Sequence, residues 1–198
     1  MKRQNGEMLV VLELLKNLKK EYNITGLAKE ISLSPMGVLK ILKKLENQEI
    51  VNLKKIGKSS VYNINWKNGE TEDLVLVLLK NEIRNASPYL KRWGNEVKKI
   101  NESEISIIFG SVLELEEKSQ DIDVLFVVKK GKFDKLKEKI NQVNKINEKE
   151  IHPIYQTLED MKKNINKEDK IILGAIKGVI VLGHEKFIEL IKKEEKWA

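Results

Sequence analysis

From Glu7 to Lys20 the apolar residues Leu9, Val10, Leu12, Leu15 and Leu18 recur at helical spacing. Asn23-Ile24-Thr25 opens a second, shorter helix running to Ile31, with Thr25 as the expected N-cap. Ser34-Pro35 starts a third, because a hydroxyl cap followed by proline at the first helical position is a strong start signal. That helix turns Val38, Leu39, Ile41, Leu42 and Leu45 inward and Lys40, Lys43 and Lys44 outward, and ends near Gln48. Residues 50–55 and 60–65 then read as two short strands joined by a hairpin tip at Ile56-Gly57-Lys58-Ser59. Residues 71–86 predict a helix carrying the run Leu74-Val75-Leu76-Val77-Leu78-Leu79, apolar on more than one side and so expected between layers or at an interface. Pro88 starts a further helix to Ile100. From residue 103 the elements alternate: strand 104–110, short helix 111–118, strand 122–129, helix 132–146, strand 150–156, helices 157–164 and 167–175, strand 177–182 and helix 184–195.

This pattern predicts a mixed α/β protein in three parts: a helix-rich domain with a hairpin over residues 1–68, a helical connector over 69–102, and a small sheet covered by helices over 103–198. A chain of 198 residues is long enough for two small cores. The absence of cysteine excludes disulfides, thiolate metal sites and a cysteine nucleophile, and two histidines are too few for a zinc site by themselves. No stretch approaches a membrane span, and the first residues do not read as a signal peptide, so the expected location is the cytoplasm. The abundance of Lys, Ile, Asn and Glu suits an AT-rich prokaryotic genome. Charge is uneven. Thirteen Lys and Arg against seven Asp and Glu place +6 of the net +7 within residues 1–70, which points that part of the chain toward a polyanion.

The stretch that carries chemistry begins at Ile107-Ile108-Phe109-Gly110-Ser111 and resumes, ten residues on, at Asp121-Ile122-Asp123-Val124-Leu125-Phe126-Val127-Val128. Side chains two apart on a strand share a face, so Asp121 and Asp123 project together. Paired carboxylates repel unless a cation lies between them, and oxygen ligands favour Mg²⁺. A Gly-Ser turn between strand and helix offers backbone N–H groups and a hydroxyl to a phosphate. Phe109-Gly110-Ser111 followed by Asp121-Ile122-Asp123-Val124 resembles the pattern of the DNA polymerase beta-like nucleotidyltransferases, in particular their minimal prokaryotic members. The resemblance implies transfer of a nucleoside monophosphate from an NTP, with Mg²⁺ on Asp121 and Asp123 and the outer phosphates at Gly110 and Ser111. Active members of that superfamily carry a third carboxylate on the strand after the next helix. Here that strand reads Glu150-Ile151-His152-Pro153-Ile154-Tyr155, and its parity puts Glu150, His152 and Ile154 on one face. Glu150 is the candidate third acid, with His152 as the residue that takes its place otherwise. The spacer Val112–Gln120 also departs from the family, holding three glutamates and no glycine.

Residues 5–65 resemble the winged helix-turn-helix domains of small prokaryotic, including archaeal, transcription regulators, through Leu27-Ala28-Lys29-Glu30, Ser34-Pro35-Met36-Gly37-Val38 and Gly57-Lys58-Ser59-Ser60-Val61-Tyr62. The resemblance implies duplex DNA as partner. Ser34, Met36 and Gly37 would approach base edges, and Lys40, Lys43, Lys44, Lys54, Lys55 and Lys58 the phosphates. No arginine lies on the recognition helix, which removes the usual bidentate guanine reader. Two function classes follow. One is a Mg²⁺-dependent nucleotidyltransferase whose acceptor includes, as one option, a toxin-like partner protein. The other is a DNA-binding regulator or antitoxin with a non-catalytic transferase fold. The apolar 71–86 helix adds the expectation of a homodimer, with Leu74, Val75, Leu78 and Leu79 as candidates for its interface or for an interdomain seam.

Overall fold

A computed structural model of the chain describes residues 6–57 and 59–194. The fold is mixed α/β. The chain divides into two compact units, one holding the residues up to Leu78 together with those from Ile191 onward, the other Leu79–Leu190.

In the first unit, α1 (Gly6–Lys16), α2 (Ile24–Glu30) and α3 (Pro35–Asn47) precede a hairpin of β1 (Val51–Ile56) and β2 (Ser59–Ile64). The expected cap of α2 is corrected: Asn23, not Thr25, accepts from the Gly26 N–H at 2.7 Å, two positions earlier in the chain. Its carboxamide reaches the open first turn, whereas Thr25 already lies inside the helix. Ser34 caps α3 as expected, accepting from the Gly37 N–H at 3.1 Å, with Pro35 in the first turn. The antiparallel register runs from Val51↔Ile64 to Ile56↔Ser59, and Gly57 at φ +59° turns the tip. Val10, Val11, Leu15, Leu27, Val38, Leu42, Leu45, Val51 and Ile64 form the core.

The helix α4 (Gly69–Asn85) contains the boundary between the units. Its apolar run is less exceptional than its composition suggests. Thr71, Val75, Leu79 and Ile83 form one buried stripe at four-residue spacing, Leu74 and Leu78 are half-buried, and Val77 is 52% exposed. Val75 and Leu79 are therefore buried within the chain.

In the second unit, α5 (Pro88–Lys98) is followed by β3 (Ser103–Phe109), α6 (Val112–Leu115), a single 3₁₀ turn at Glu116–Lys118, β4 (Ile122–Val128), α7 (Phe133–Ile146), β5 (Ile151–Gln156), α8 (Leu158–Asn166), α9 (Lys170–Ile176), β6 (Val179–Leu182) and α10 (His184–Glu194), which runs on into the first unit. The strand order is β5-β4-β3-β6, with β4 and β5 parallel and β3 antiparallel to both neighbours. One face of the sheet packs Ile108, Val124 and Phe126 against Trp93 and Val97 of α5 and Leu136 and Ile140 of α7. The other faces α8 and α9, which pack on β3, β4 and β5. Cover on both faces explains why Leu125-Phe126-Val127 shows no polar alternation.

At the start of α10, His184 is buried with its Nε2 unpartnered. Burial pushes its imidazole below the ordinary 6.5, and the Lys80 and Lys98 cations push the same way against Glu185 and a hydrogen bond with the Ile180 backbone. The folded chain thus holds this side chain neutral where the unfolded chain protonates it. Its contribution to stability is complete above pH 6.5 and is lost as pH falls toward the lowered folded value, with a slope of at most ~1.4 kcal/mol per pH unit. Urea midpoints measured from pH 7.5 down to 5 should show this decline, and a His184→Gln variant should flatten it.

Candidate metal and nucleotide site

The register across three strands assembles the site. Phe109 of β3 pairs with Asp123 of β4, and Asp123 pairs with His152 of β5. Residues in one such row project to the same face of a sheet. The His152 Nδ1 lies 3.1 Å from the Asp123 Oδ1. Asp121, just ahead of β4, completes the group: one ligand atom from each of Asp121, Asp123 and His152 lies within 4.8 Å of the other two. Both carboxylates are half-buried, and the His152 side chain is 69% exposed.

Gly110 is what lets the pair approach the preceding strand. It has φ +77°, in the left-handed region that favours glycine. A Cβ at this position would overlap the Asp123 Oδ2 and lie 3.1 Å from its Cγ. Gly110 of the Gly-Ser turn and Asp123 are thus in close contact. Ser111 is exposed, its hydroxyl makes no capping bond, and its backbone carbonyl accepts from the Glu114 and Leu115 N–H groups at 3.1 and 2.8 Å.

Glu150 does not join the group. It is exposed, one residue ahead of β5, and takes part through its backbone carbonyl, which accepts from the Ile122 N–H at 3.0 Å. The strand's alternation does place Glu150 and His152 on the same face, but His152 is the residue level with Asp123. The third-acid expectation for Glu150 is therefore replaced by an imidazole.

Sequence reasoning missed Lys149. Its ammonium donates to the backbone carbonyls of Glu117 and Ser119 and lies 5.7 Å from the centroid of the Tyr89 ring. Ser119 is buried and its hydroxyl donates to the Glu116 carbonyl at 2.8 Å. These bonds tie the glutamate-rich turn, which leads into Asp121, to the entry of β5. A lysine in a polar run gives no sequence signal for this. With an alanine at Lys149, two carbonyls lose a charged donor, and the loop should loosen. Faster amide exchange at residues 116–121, with the sheet core unaffected, checks this.

On the first unit, the expected DNA-facing residues lie at the surface. Met36 is 63% exposed and so is not core, Ser34, Lys40 and Lys43 are exposed, and Gly37 is half-buried. Lys44 is paired with Glu7 at 2.5 Å, which partly neutralises it. Lys54 and Lys55 are exposed on β1. Lys58 lies outside the described residues. Among the described residues no helix is long and apolar enough to cross a membrane.

The chain matches no family model and no curated protein. Among solved structures it is similar to two mutants of Lactococcus lactis ZitR. One is 15% identical over 48% of this chain and 70% of that one, with a TM-score of 0.28. The other is 13% identical over 50% and 73%, with a TM-score of 0.29. Human N-acetylserotonin methyltransferase in complex with SAM is 12% identical over 45% of this chain and 33% of its own, with a TM-score of 0.26. Likeness at this level carries no functional argument.

Proposed function

We propose that the second unit is a divalent-metal-dependent nucleotidyltransferase domain joined to a DNA-binding winged helix. The observation that carries this reading is the convergence of Asp121, Asp123 and His152 within 4.8 Å, against the left-handed Gly110. Two carboxylate oxygens and one imidazole nitrogen fit a divalent cation and leave coordination positions for substrate. A cation held there supplies charge neutralisation for a triphosphate and polarises its α-phosphorus. The chain's own part is positional. Asp121 and Asp123 hold the cation, Gly110 and Ser111 border the outer phosphates, and Lys149 keeps the turn that leads into Asp121 in place. In the reaction an acceptor hydroxyl oxygen bonds the α-phosphorus, the bond to the bridging oxygen breaks, and pyrophosphate leaves. The hydroxyl proton needs a base. His152 does not supply it, because an imidazole with one nitrogen on the cation carries its proton on the other, so the base is solvent water or a group brought by the acceptor.

His152 also bears on the choice of ion. Mg²⁺ prefers oxygen, whereas Mn²⁺ accepts imidazole nitrogen. Mn²⁺ should bind more tightly than Mg²⁺, and a His152→Asp variant should narrow the difference, as read by isothermal titration. The decisive assay is transfer of label from α-labelled NTPs in Mn²⁺ or Mg²⁺, with Asp121→Ala as control.

A second reading has its own support. His152 stands where an active transferase has its third acid, and Glu150 lies outside the group. On this reading the domain binds a metal–nucleotide complex without turning it over, and the protein is a nucleotide-sensing regulator or an antitoxin. Metal-dependent nucleotide binding without transfer of label would select it.

DNA binding by the first unit rests on the exposed face of α3 and on the wing lysines. With both Lys54 and Lys55 changed to glutamine, affinity should fall for all sequences alike, and the slope of log affinity against log salt should flatten by up to ~1.8. Fluorescence anisotropy with two unrelated duplexes measures both effects. An unchanged slope would assign the wing to protein contacts.

A further inference from the structure

A concave patch within the second unit, apart from the aspartate site, is lined by Ile83 and Arg84 of α4 and Lys91, Asn95 and Lys98 of α5, with a volume of about 310 Å³. Lys91, Asn95 and Lys98 follow one another at i, i+4 and i+7, so they share a side of α5. Arg84 comes from the last turn of α4. The lining residues are thus three permanent cations, a carboxamide and Ile83, and the aliphatic stems of the long side chains contribute to the wall. Among the described residues, none of the three cations has an ion-pair partner, while neighbouring cations of the same unit do: Lys80 with Glu185, Lys99 with Glu96 and Lys186 with Glu104. Like charges gathered in a concavity repel one another, and a bound anion relieves the repulsion. The buried His184 registers the same field, since Lys98 and Lys80 both disfavour its protonation.

We infer that this cleft is a binding site for a short polyphosphate, in which the Arg84 guanidinium, the Lys91 and Lys98 ammoniums and the Asn95 amide hold adjacent phosphate groups. Arginine offers a planar fork matched to phosphate oxygens, and the lysines add point charges. The volume is at the lower end of that for small-molecule sites, which favours a di- or triphosphate group over a larger ligand. The phosphates have two sources, a free nucleotide or polyphosphate, and the backbone of a nucleic acid. The inference stands apart from the transferase reading, because no residue of the aspartate site is used.

The test is titration of the full chain with inorganic pyrophosphate and with tripolyphosphate in excess EDTA, which keeps any divalent ion off Asp121 and Asp123. Binding should be measurable, weakened about tenfold by each of Arg84→Gln, Lys91→Gln and Lys98→Gln, and unchanged by Asp121→Ala. All three positions are exposed, so the variants should melt like the parent, and a thermal scan verifies it. A parallel arm uses a duplex and a single strand of DNA, with the Lys54 and Lys55 double variant as background. Loss of DNA binding in the cleft variants, with inorganic polyphosphate failing to bind, would assign the phosphates to a nucleic-acid backbone and overturn the short-polyphosphate inference. Polyphosphate binding that is absent, or that survives all three substitutions together, would overturn it as well. Failure of the transferase assay leaves these results untouched.

Discussion

Asp123→Ala will abolish divalent-metal binding at the Asp121–Asp123–His152 group, by about 10²-fold or more in affinity, and any nucleotidyl transfer with it. Asp123 occupies the centre of the arrangement. It is level with Phe109 on one side and His152 on the other, its Oδ1 faces the His152 Nδ1, and its Oδ2 packs against Gly110. Removing a residue that merely orients a ligand typically costs 10–100-fold in metal affinity, so removing a charged ligand should cost at least the upper end of that range. The substitution also leaves a second carboxylate, Asp121, without its partner charge, and frees the His152 ring. Asp123→Asn separates these effects. It keeps the volume beside Gly110 and a hydrogen-bonding group toward His152 but removes the negative charge. If charge is what holds the ion, Asn will bind metal nearly as poorly as Ala. Titration with Mn²⁺, followed by electron paramagnetic resonance of the free ion, gives the affinity. Parent-like Mn²⁺ binding in both variants would remove Asp123 from any metal site and leave the proposed chemistry without its anchor.

How the chain spells out this arrangement differs from part to part. The elements were legible because periodicity switches cleanly between 3.6 and 2, and because Ser34-Pro35 and Pro88 mark helix starts by mechanism. The Asp pair and the Gly-Ser turn were legible because strand alternation and the conformational freedom of glycine act locally. The third member was not. Glu150 and His152 share a parity, so alternation alone left both open. Only the β4–β5 register, which depends on where a distant loop lets two strands meet, puts His152 level with Asp123. Lys149 was invisible for a related reason, since its partners are backbone carbonyls more than thirty positions away, as for Glu117, or nearly so, as for Ser119. The reading of α4 erred through composition. A continuous run of leucine and valine implied burial on more than one side, whereas the fold fully buries one stripe and leaves Val77 in solvent. The cap of α2 was misplaced by two residues because Asn23 and Thr25 are both capping types, and sequence does not say which one precedes the first helical turn.

The largest effect on stability is expected from Gly183→Ala, a position between β6 and α10 that takes no part in the chemistry. Gly183 has φ +79°, and an added Cβ would lie 2.9 Å from the Glu104 carbonyl carbon and overlap its oxygen. The obstacle is the backbone of β3, which cannot swing aside as a flexible side chain can. β3 is the strand that pairs with β6 on one side and β4 on the other, so a shift at Glu104 strains the centre of the sheet. The Gly183 carbonyl also accepts from the Phe187 N–H at 2.9 Å, which ties the first turn of α10 to the same point. The left-handed conformation alone costs a non-glycine residue on the order of 1 kcal/mol, and displacement of a packed strand brings the expected loss to about 3 kcal/mol or more. Gly131→Ala is the matched control. It has a similar φ, +69°, but nothing within 4 Å of the added Cβ, so it should lose only about 1 kcal/mol. Urea denaturation of the two variants beside the parent gives the comparison. A difference of about 2 kcal/mol between them would be the steric share of the cost, and equal losses would mean that β3 does not approach Gly183 as closely as the structure has it.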